Sequence, residues 1–381
     1  MFNFVFQNTT KLVFGRGQIA QLKDLIPTDK KVLITFGGGS VKRNGVYDQV
    51  KDALKKHTVV EFWGIEPNPA VETLRKAVKV GLEEKVDLIL AVGGGSVLDG
   101  TKLIAAGIAE PQKDPWDIVK NGTAEKQIPF ASVMTLPATG SEMNNGAVIS
   151  CHETKEKFAF RGDYPTFSIL DPETTYSLPK HQIACSLADI VVHCFEQYMT
   201  TPGQNRVLDR WAEGVIATAM EIAPLILKDQ HNYELMCDYM FSATMALNNF
   251  IRMGITQDWS THQIGHELTA LCGVTHGESL AIVYPGTLEV LREQKKAKIL
   301  QFGSRVLGIN EGSDEERIDE VIHRIESFFS SLGLATHLSE KAIGMDVIDE
   351  IASRFNQRGV HFGEAKNVTG DVARAILMKR L

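Results

Sequence analysis

The sequence predicts an α/β domain built on a mostly parallel sheet, followed by an all-α domain. Three observations predict this fold class. Short apolar runs alternate with helical periodicity through the first half of the chain, glycine turns follow two of these runs, and long stretches with helical spacing fill the second half. Because short apolar runs with glycine turns give way to helical spacing close to residue 180, we expect one domain over residues 1–180 and a second over residues 181–381.

At the N-terminus, apolar and polar residues alternate. Phe2, Phe4 and Phe6 are followed, after a polar stretch, by Leu12 and Phe14. A period of two predicts a hairpin-like pair of strands, with an edge strand that pairs with a partner subunit as the alternative.

Strand, turn and helix signals then repeat along the first half. The apolar run 31–36 ends at Gly-Gly-Gly-Ser, and helical periodicity follows over residues 46–56. The same signals predict strands over residues 58–62, 87–92, 130–136 and 167–170 and a helix over residues 70–84. This alternation is typical of a Rossmann-like domain with helices on both faces of the sheet.

The Gly-Gly-Gly-Ser turns predict a nucleotide-binding function. Glycine lets a phosphate approach backbone N–H groups at the positive end of the following helix. We expect the pyrophosphate at the second turn, Gly93 to Ser96, because the most apolar strand precedes it and Asp99 follows inside the helix. For either turn alone, a purely structural role is the alternative.

The first turn bears on the choice of dinucleotide. No Asp or Glu ends the run 31–36 to accept the hydroxyls of an adenine ribose, whereas Lys42 and Arg43 follow the glycines. We therefore expect NADP(H) in preference to NAD(H). Solvated surface side chains are the alternative interpretation of the two basic residues.

Histidines in the helical half predict a metal site. Asp189 and His193 have i, i+4 spacing, which places both on one helix face, one turn apart. His262 and His266 repeat this spacing, and a turn before His276 can return it towards His262. A single histidine is more often a packing or surface residue, but the cluster offers three or four ligands to one divalent ion.

Composition excludes several other classes of protein. The net charge is −7 and no basic stretch stands out, so we expect no nucleic-acid partner. The five cysteines form no Cys-x-x-Cys pair, which favours reduced thiols and a cytoplasmic location. The sequence contains neither a secretion signal nor an apolar run of about 18 residues, so we expect no membrane association. A Gly-x-Ser-x-Gly motif is also absent, which argues against covalent acyl chemistry.

Five motifs occur across the chain as a set: Gly93 to Asp99, Leu136 to Glu142, Asp189-x3-His193, His262-x3-His266 and His276-Gly277. Together they resemble the iron-containing alcohol dehydrogenase family over almost the whole chain. Three further segments resemble its NADPH-dependent aldehyde reductase and butanol dehydrogenase branch. They are Phe36 to Val41, Gly64 to Pro69 and Asp258 to Leu268.

This resemblance implies a function and a set of site residues. It implies a metal-dependent oxidoreductase that transfers hydride between NADP(H) and small aldehydes or primary alcohols, acting as an aldehyde reductase, and, together with the N-terminal strands, a homodimer. The implied ligands of one zinc or iron ion are Asp189, His193, His262 and His276, and His266 is implied as a proton relay. The implied dinucleotide contacts are Gly37, Gly38, Gly39, Ser40, Asn68, Gly93, Gly94, Gly95, Ser96, Asp99, Thr135, Thr139 and Lys157.

Two alternative activities share this domain plan. A dehydroquinate-synthase-like lyase needs a strongly basic pocket, whereas Gln257, Trp259, Gln263 and Leu271 around the histidines offer little to bind a phosphate. Glycerol-dehydrogenase-like oxidation of a polyol with NAD is the alternative within the same class.

Overall fold

The computed structural model describes residues 1–200, 202–203 and 205–381, which fall into two units. The α/β unit comprises Gln7–Leu178 and Gln230–Thr244, and the helical unit comprises Met1–Phe6, Pro179–Asp229 and Met245–Leu381. The predicted fold class, an α/β domain with a mostly parallel sheet and an all-α domain, is confirmed.

The α/β unit contains a six-stranded sheet and a separate hairpin. The strands are β1 (Lys11–Phe14), β2 (Lys31–Phe36), β3 (Thr58–Phe62), β4 (Leu88–Gly94), β5 (Phe130–Leu136), β6 (Gly146–Cys151), β7 (Glu156–Arg161) and β8 (Phe167–Leu170). All neighbours in the sheet are parallel, in the order β1-β8-β5-β4-β2-β3. From β2 the chain moves outwards to β3 and then returns to β4 on the other side of β2. The strand order therefore reverses between β2 and β4, and ligands of open α/β sheets bind at the carboxyl ends of such strands.

Helices cover both faces of this sheet. Within the unit they are α1 (Leu22–Leu25), α2 (Ser40–Arg43), α3 (Val46–Ala53), α4 (Val71–Glu84), α5 (Gly95–Ala109), α6 (Pro115–Lys120) and most of α9 (Tyr233–Ala246). In β2, Leu33 packs in one apolar core while Val32 and Ile34 pack in the other. Burial on both faces explains why this strand appears in the sequence as a continuous apolar run instead of an alternating one.

The N-terminal prediction of a hairpin-like pair is wrong. Only Lys11–Phe14 forms a strand, and it lies at the edge of the sheet, in parallel register with β8. The backbone N–H of Phe2 instead donates to the carbonyl oxygen of Gly254, 2.8 Å away. The polar stretch before Lys11 contains no glycine to form a tight turn, and β8 offers a longer-range partner. The antiparallel hairpin of β6 and β7 was not predicted from the sequence.

The described residues of the helical unit form eight α-helices in addition to the end of α9. They are α7 (Lys180–Tyr198), α8 (Arg206–Lys228), α10 (Ser260–Cys272), α11 (His276–Val290), α12 (Arg292–Arg305), α13 (Asp314–Ser331), α14 (Met345–Arg358) and α15 (Gly370–Met378). Helix α7 is buried along all sides from Ile183 to Tyr198. Among the described residues, no helix combines the length and apolar character needed to cross a bilayer.

Candidate functional site

One carboxylate oxygen in the helical unit faces three imidazoles. Asp189 Oδ1 lies 3.3 Å from His193 Nε2, 3.6 Å from His262 Nε2 and 3.8 Å from His276 Nε2. Ligand atoms of Asp189, His262 and His276 all lie within 4.8 Å of one another. The structure therefore brings the four predicted metal ligands together around one point.

The polar atoms at this point suit a metal ion. Asp189 Oδ1 and His262 Nε2 are buried and have no hydrogen-bond partner among the described residues. Leaving buried polar atoms unsatisfied costs roughly 1–3 kcal/mol each, so such atoms call for a partner. One carboxylate and three imidazoles form a donor set that binds zinc and ferrous iron.

The local sequence explains this convergence. Asp189 and His193 are one turn apart on the buried helix α7. Helix α10 ends at Gly273, which adopts the left-handed conformation (φ 69°), and α11 begins three residues later at His276. This tight reversal places the rings of His262 and His276 5.4 Å apart, centroid to centroid.

A fourth histidine lies beside the cluster. The His266 ring is buried, with its centroid 5.2 Å from that of His276 and 6.3 Å from that of His262. It is separate from the imidazoles that face Asp189. Trp259, which the sequence suggested only as a neighbour of this segment, packs edge-on against His262 at 5.2 Å.

Burial and charge set the protonation of these groups. Burial lowers the pKa of His193 to about 4, so its imidazole is neutral at physiological pH. Burial would also lower the pKa of His262, but the carboxylates of Glu196 and Asp189 raise it to about 9. Two buried carboxylates thus give the site a local negative charge that favours a cation.

Glu196 was missed at the sequence level. Its carboxylate accepts hydrogen bonds from His262 Nδ1 and, over 2.7 Å, from the backbone N–H of Thr261. Its position seven residues after Asp189, two turns along the same helix face, was the available signal.

The predicted nucleotide turns lie in the α/β unit at the carboxyl ends of β2 and β4. Gly93 and Gly94 end β4, and Gly95 and Ser96 begin α5, so this turn carries the backbone N–H groups of a helix start, which have no partner within the helix. A Cβ built on Gly95 would lie 2.8 Å from Thr139 Cγ2, so glycine is required for this close approach.

Other predicted contacts connect to the second turn. Ser96 Oγ accepts a hydrogen bond from the backbone N–H of Asn68 over 3.3 Å. The side-chain oxygen of Asn68 in turn accepts from Lys157 Nζ over 2.9 Å. Thr135 is buried near the carboxyl end of β5.

The first turn, Gly37 to Ser40, joins β2 to α2. Open space surrounds the Cβ positions of Gly38 and Gly39, and Gly39 has a left-handed backbone (φ 93°). Lys42 Nζ lies 4.1 Å from the ring centroid of Trp63, which stacks on Phe36 at 4.0 Å. The exposed Lys42 side chain therefore makes a cation–π contact with the Trp63 ring.

Asp99 belongs to a buried network. One of its oxygens accepts from Ser141 Oγ over 2.6 Å, and the other from the backbone N–H of Val148 over 2.9 Å. The ammonium of Lys102 also donates to Ser141 Oγ over 2.8 Å, and burial lowers the pKa of Lys102 to about 8. Within the α/β unit, Asp99 and Lys102 thus anchor the segment that follows Thr139, a role that the sequence did not reveal.

Comparison with known proteins covers both halves of the chain. The profile described as iron-containing alcohol dehydrogenase matches residues 9–172, and the profile for the C-terminal part of the Fe-containing alcohol dehydrogenase family matches residues 183–381. The chain is 49% identical over 382 residues to the NADPH-dependent aldehyde reductase YqhD of Escherichia coli, covering 99% of each chain. It is 41% identical over 389 residues to the probable NADH-dependent butanol dehydrogenase 1 of Bacillus subtilis, covering 100% of each. The crystal structure of E. coli YqhD superposes with a TM-score of 0.98 at 48% identity, covering 100% of this chain and 99% of that one.

Proposed function

The chain belongs to the iron-containing alcohol dehydrogenase family, and from this membership we propose that it is a metal-dependent oxidoreductase acting as an aldehyde reductase. It transfers hydride between NADP(H) and small aldehydes or primary alcohols. The observation that carries this proposal is the single buried oxygen of Asp189 facing three imidazoles. The 49% identity to an NADPH-dependent aldehyde reductase supports it.

Asp189, His193, His262 and His276 are the proposed ligands of one divalent ion, zinc or iron. The unsatisfied atoms of Asp189 and His262 support this assignment. When bound, such an ion supplies Lewis-acid polarisation of the aldehyde oxygen. Asp189, His193 and His262 are buried, which strengthens the electrostatic attraction between the carboxylate and a bound cation.

His266 is the proposed proton relay. Reduction of an aldehyde to an alcohol requires a proton as well as a hydride, and imidazole, with an ordinary pKa of about 6.5, exchanges protons at neutral pH. Its ring centroid lies 5.2 Å from that of His276, which supports a proton donor next to the proposed metal ligands.

The α/β unit is the proposed site of the dinucleotide. The glycine turns Gly37 to Ser40 and Gly93 to Ser96 follow the two strands between which the strand order reverses. Asn68, Thr135, Thr139 and Lys157 are proposed as additional contacts, and Asp99 contributes by anchoring the adjacent segment. Lys42, held over Trp63, supplies positive charge for the 2′-phosphate of NADP(H).

The remaining assignments concern the whole chain. We propose a nucleotide-binding domain over residues 1–180, a metal-binding domain over residues 181–381, and a homodimer formed through the apolar N-terminal segment and the sheet edge at β1. All five cysteines, each among the described residues, are free thiols, which supports a reducing, cytoplasmic location.

The deciding experiment measures NADPH oxidation with butyraldehyde before and after chelation, with add-back of Zn²⁺ or Fe²⁺. We expect activity to be lost on chelation, restored by one ion, and lower with NADH. Activity that survives complete removal of the metal would overturn the metal assignment. A failure to turn over any small aldehyde would overturn the proposed aldehyde reductase activity. Assays of glycerol and propanediol with NAD distinguish the proposed aldehyde reductase from the alternative, a polyol dehydrogenase.

The variant that tests the preference for NADPH over NADH is Lys42→Met. It removes the charge but keeps an unbranched side chain against Trp63. We expect KM for NADPH to rise while KM for NADH stays constant. An equal rise for both dinucleotides would contradict a role in binding the 2′-phosphate.

A further inference from the structure

We propose that Glu196 is a positioning residue for the metal site, which holds His262 so that Nε2 is presented to the ion. The inference rests on the proposed metal site. The Glu196 carboxylate is 2% exposed and accepts a hydrogen bond from His262 Nδ1. On the opposite side of the same ring, Nε2 lies 3.6 Å from Asp189 Oδ1.

The carboxylate is itself held in place. Its Oε1 accepts from the backbone N–H of Thr261 over 2.7 Å, and its Oε2 accepts from the backbone N–H of His262 over 3.2 Å. These N–H groups belong to the first turn of α10, where they have no partner within the helix and where negative charge is favoured. Glu196 therefore fixes both the backbone and the ring of His262.

Helix α7 carries this residue on the same face as the ligands. Glu196 follows Asp189 by seven residues and His193 by three, and all three side chains are buried. One rigid helix thus supplies two ligands and the carboxylate that orients a third, which limits their relative motion.

The chemical consequence concerns the tautomer of His262. A neutral imidazole carries one proton, and donation from Nδ1 to a carboxylate leaves the lone pair on Nε2 for a metal. The carboxylate also raises the basicity of the ring as a ligand. Nδ1 of His193, by contrast, has no hydrogen-bond partner among the described residues, so no carboxylate orients that ring.

The test compares Zn²⁺ affinities of chelator-treated full-length variants by titration against a competing chromophoric chelator. For Glu196→Gln we expect affinity to fall by about 10–100-fold, the range for loss of an outer-shell partner. The matched control is Asp171→Asn. Asp171 is also buried and accepts from two backbone N–H groups, those of Gly17 over 2.6 Å and Glu173 over 3.1 Å, but it lies in the α/β unit and does not contact His262. This variant removes the same charge from a buried carboxylate bound to backbone N–H groups, and we expect its Zn²⁺ affinity to equal that of the wild type.

A second pair of variants distinguishes positioning from general stabilisation. In a His262→Ala background, Glu196→Gln should lower Zn²⁺ affinity no further, because the ring through which Glu196 acts is gone. An equal loss in both backgrounds, or unchanged affinity of Glu196→Gln in the wild-type background, would overturn the inference. Failure of the wild-type chain to bind Zn²⁺ would instead overturn the metal site itself.

A measurement on the wild type keeps the inference testable should Glu196→Gln not fold. ¹H–¹⁵N NMR of the Zn²⁺-loaded protein should show a slowly exchanging proton on Nδ1 of His262. A proton on Nε2, with Nδ1 as the ligand, would contradict the proposed orientation.

Discussion

At the residue scale, the roles of neighbouring histidines are decided by which atoms they turn towards Asp189. The Nε2 atoms of His193, His262 and His276 lie within 3.8 Å of its Oδ1, whereas the ring of His266 lies beside this group, tilted by 35° against that of His276. The i, i+4 spacing of His262 and His266 alone could not separate a ligand from a relay, because it places both on one helix face.

Substitution of two histidines tests whether His276 is a metal ligand and His266 a proton relay. His276→Ala should weaken Zn²⁺ binding and lower NADPH-dependent reduction together. His266→Ala should keep Zn²⁺ binding but lower kcat by about 10²–10⁴-fold, the range for loss of a general acid. Zn²⁺ titration and steady-state kinetics on both variants provide the check. Equal loss of Zn²⁺ from the two variants would make His266 a ligand.

A glycine beside the cluster controls the position of His276. A Cβ built on Gly277 would lie 2.6 Å from the carbonyl carbon of Cys185 on α7, and closer still to its oxygen. We expect Gly277→Ala to destabilise the fold by about 1–3 kcal/mol through overpacking, and to weaken Zn²⁺ binding because the start of α11 must move. Denaturant unfolding and Zn²⁺ titration measure the two effects.

The control for this substitution is Gly214→Ala on α8, where a Cβ meets nothing within 4 Å. It should stabilise the protein by up to about 1 kcal/mol, since alanine is the better helix former. A Gly277→Ala protein with wild-type stability and wild-type Zn²⁺ affinity would show that the contact with Cys185 relaxes freely.

At the element scale, a buried lysine ties α12 to the segment that precedes α10. Lys295 Nζ lies 2.6 Å from Asp258 Oδ2 and 3.2 Å from Glu364 Oε1, and the lysine is 2% exposed. Burial would raise the pKa of Asp258, but the Lys295 ammonium and hydrogen bonds from Ser260 hold it below its ordinary value. The network therefore stabilises the element that carries His262.

Lys295→Met should lower the free energy of unfolding by about 3–5 kcal/mol at neutral pH, because it leaves buried carboxylates unpaired. The stabilisation from Asp258 is present above the ordinary aspartate pKa of about 3.9 and is lost as pH falls through the lower pKa of the folded state. The difference between wild type and variant should accordingly shrink in acid, as measured by urea unfolding between pH 7 and pH 3. Lys296→Met, a half-exposed neighbour on α12, should cost no more than about 1 kcal/mol. A difference that stays constant down to pH 3 would contradict the role of Asp258.

At the scale of the whole molecule, the N-terminal segment is the candidate for self-association. Val5 is 98% exposed and Phe2 63% exposed, which is costly for apolar side chains unless a partner covers them. Among the described residues, strand β1 also leaves one edge of the sheet without a pairing strand.

We expect light scattering to give twice the chain mass of 42.1 kDa for the wild type, and a monomer for Val5→Glu. Because Val5 makes little contact within its own chain, this change should not destabilise the monomer. Met378→Glu, at another exposed apolar position, should remain a dimer. A wild-type monomer, or a Val5→Glu dimer of unchanged affinity, would remove the proposed interface.

Local patterns determined much of the fold. The strands 58–62, 130–136 and 167–170 were predicted to the residue because each is an apolar run bounded by turn-forming residues. The hairpin of β6 and β7 was missed because its residues lack clean alternation, and the N-terminal pair was wrong because β1 finds its partner about 155 residues away in β8. Pairing over such a separation leaves no local signal.

The sequence by itself determined the fold class, the two glycine turns, and the helical spacing that puts Asp189 and His193 on one face, since these depend on short-range periodicity and on motifs. Only the tertiary structure decided that His276 joins them, that Glu196 holds His262, and that Asp99 and Lys102 anchor a neighbouring segment. The contacts of His276 and Glu196 depend on the packing of α7 against α11 and on the turn that joins α10 to α11. The contacts of Asp99 and Lys102 depend on the return of distant strands to one sheet. Packing of residues far apart in the chain is set by burial and shape, which no local pattern records.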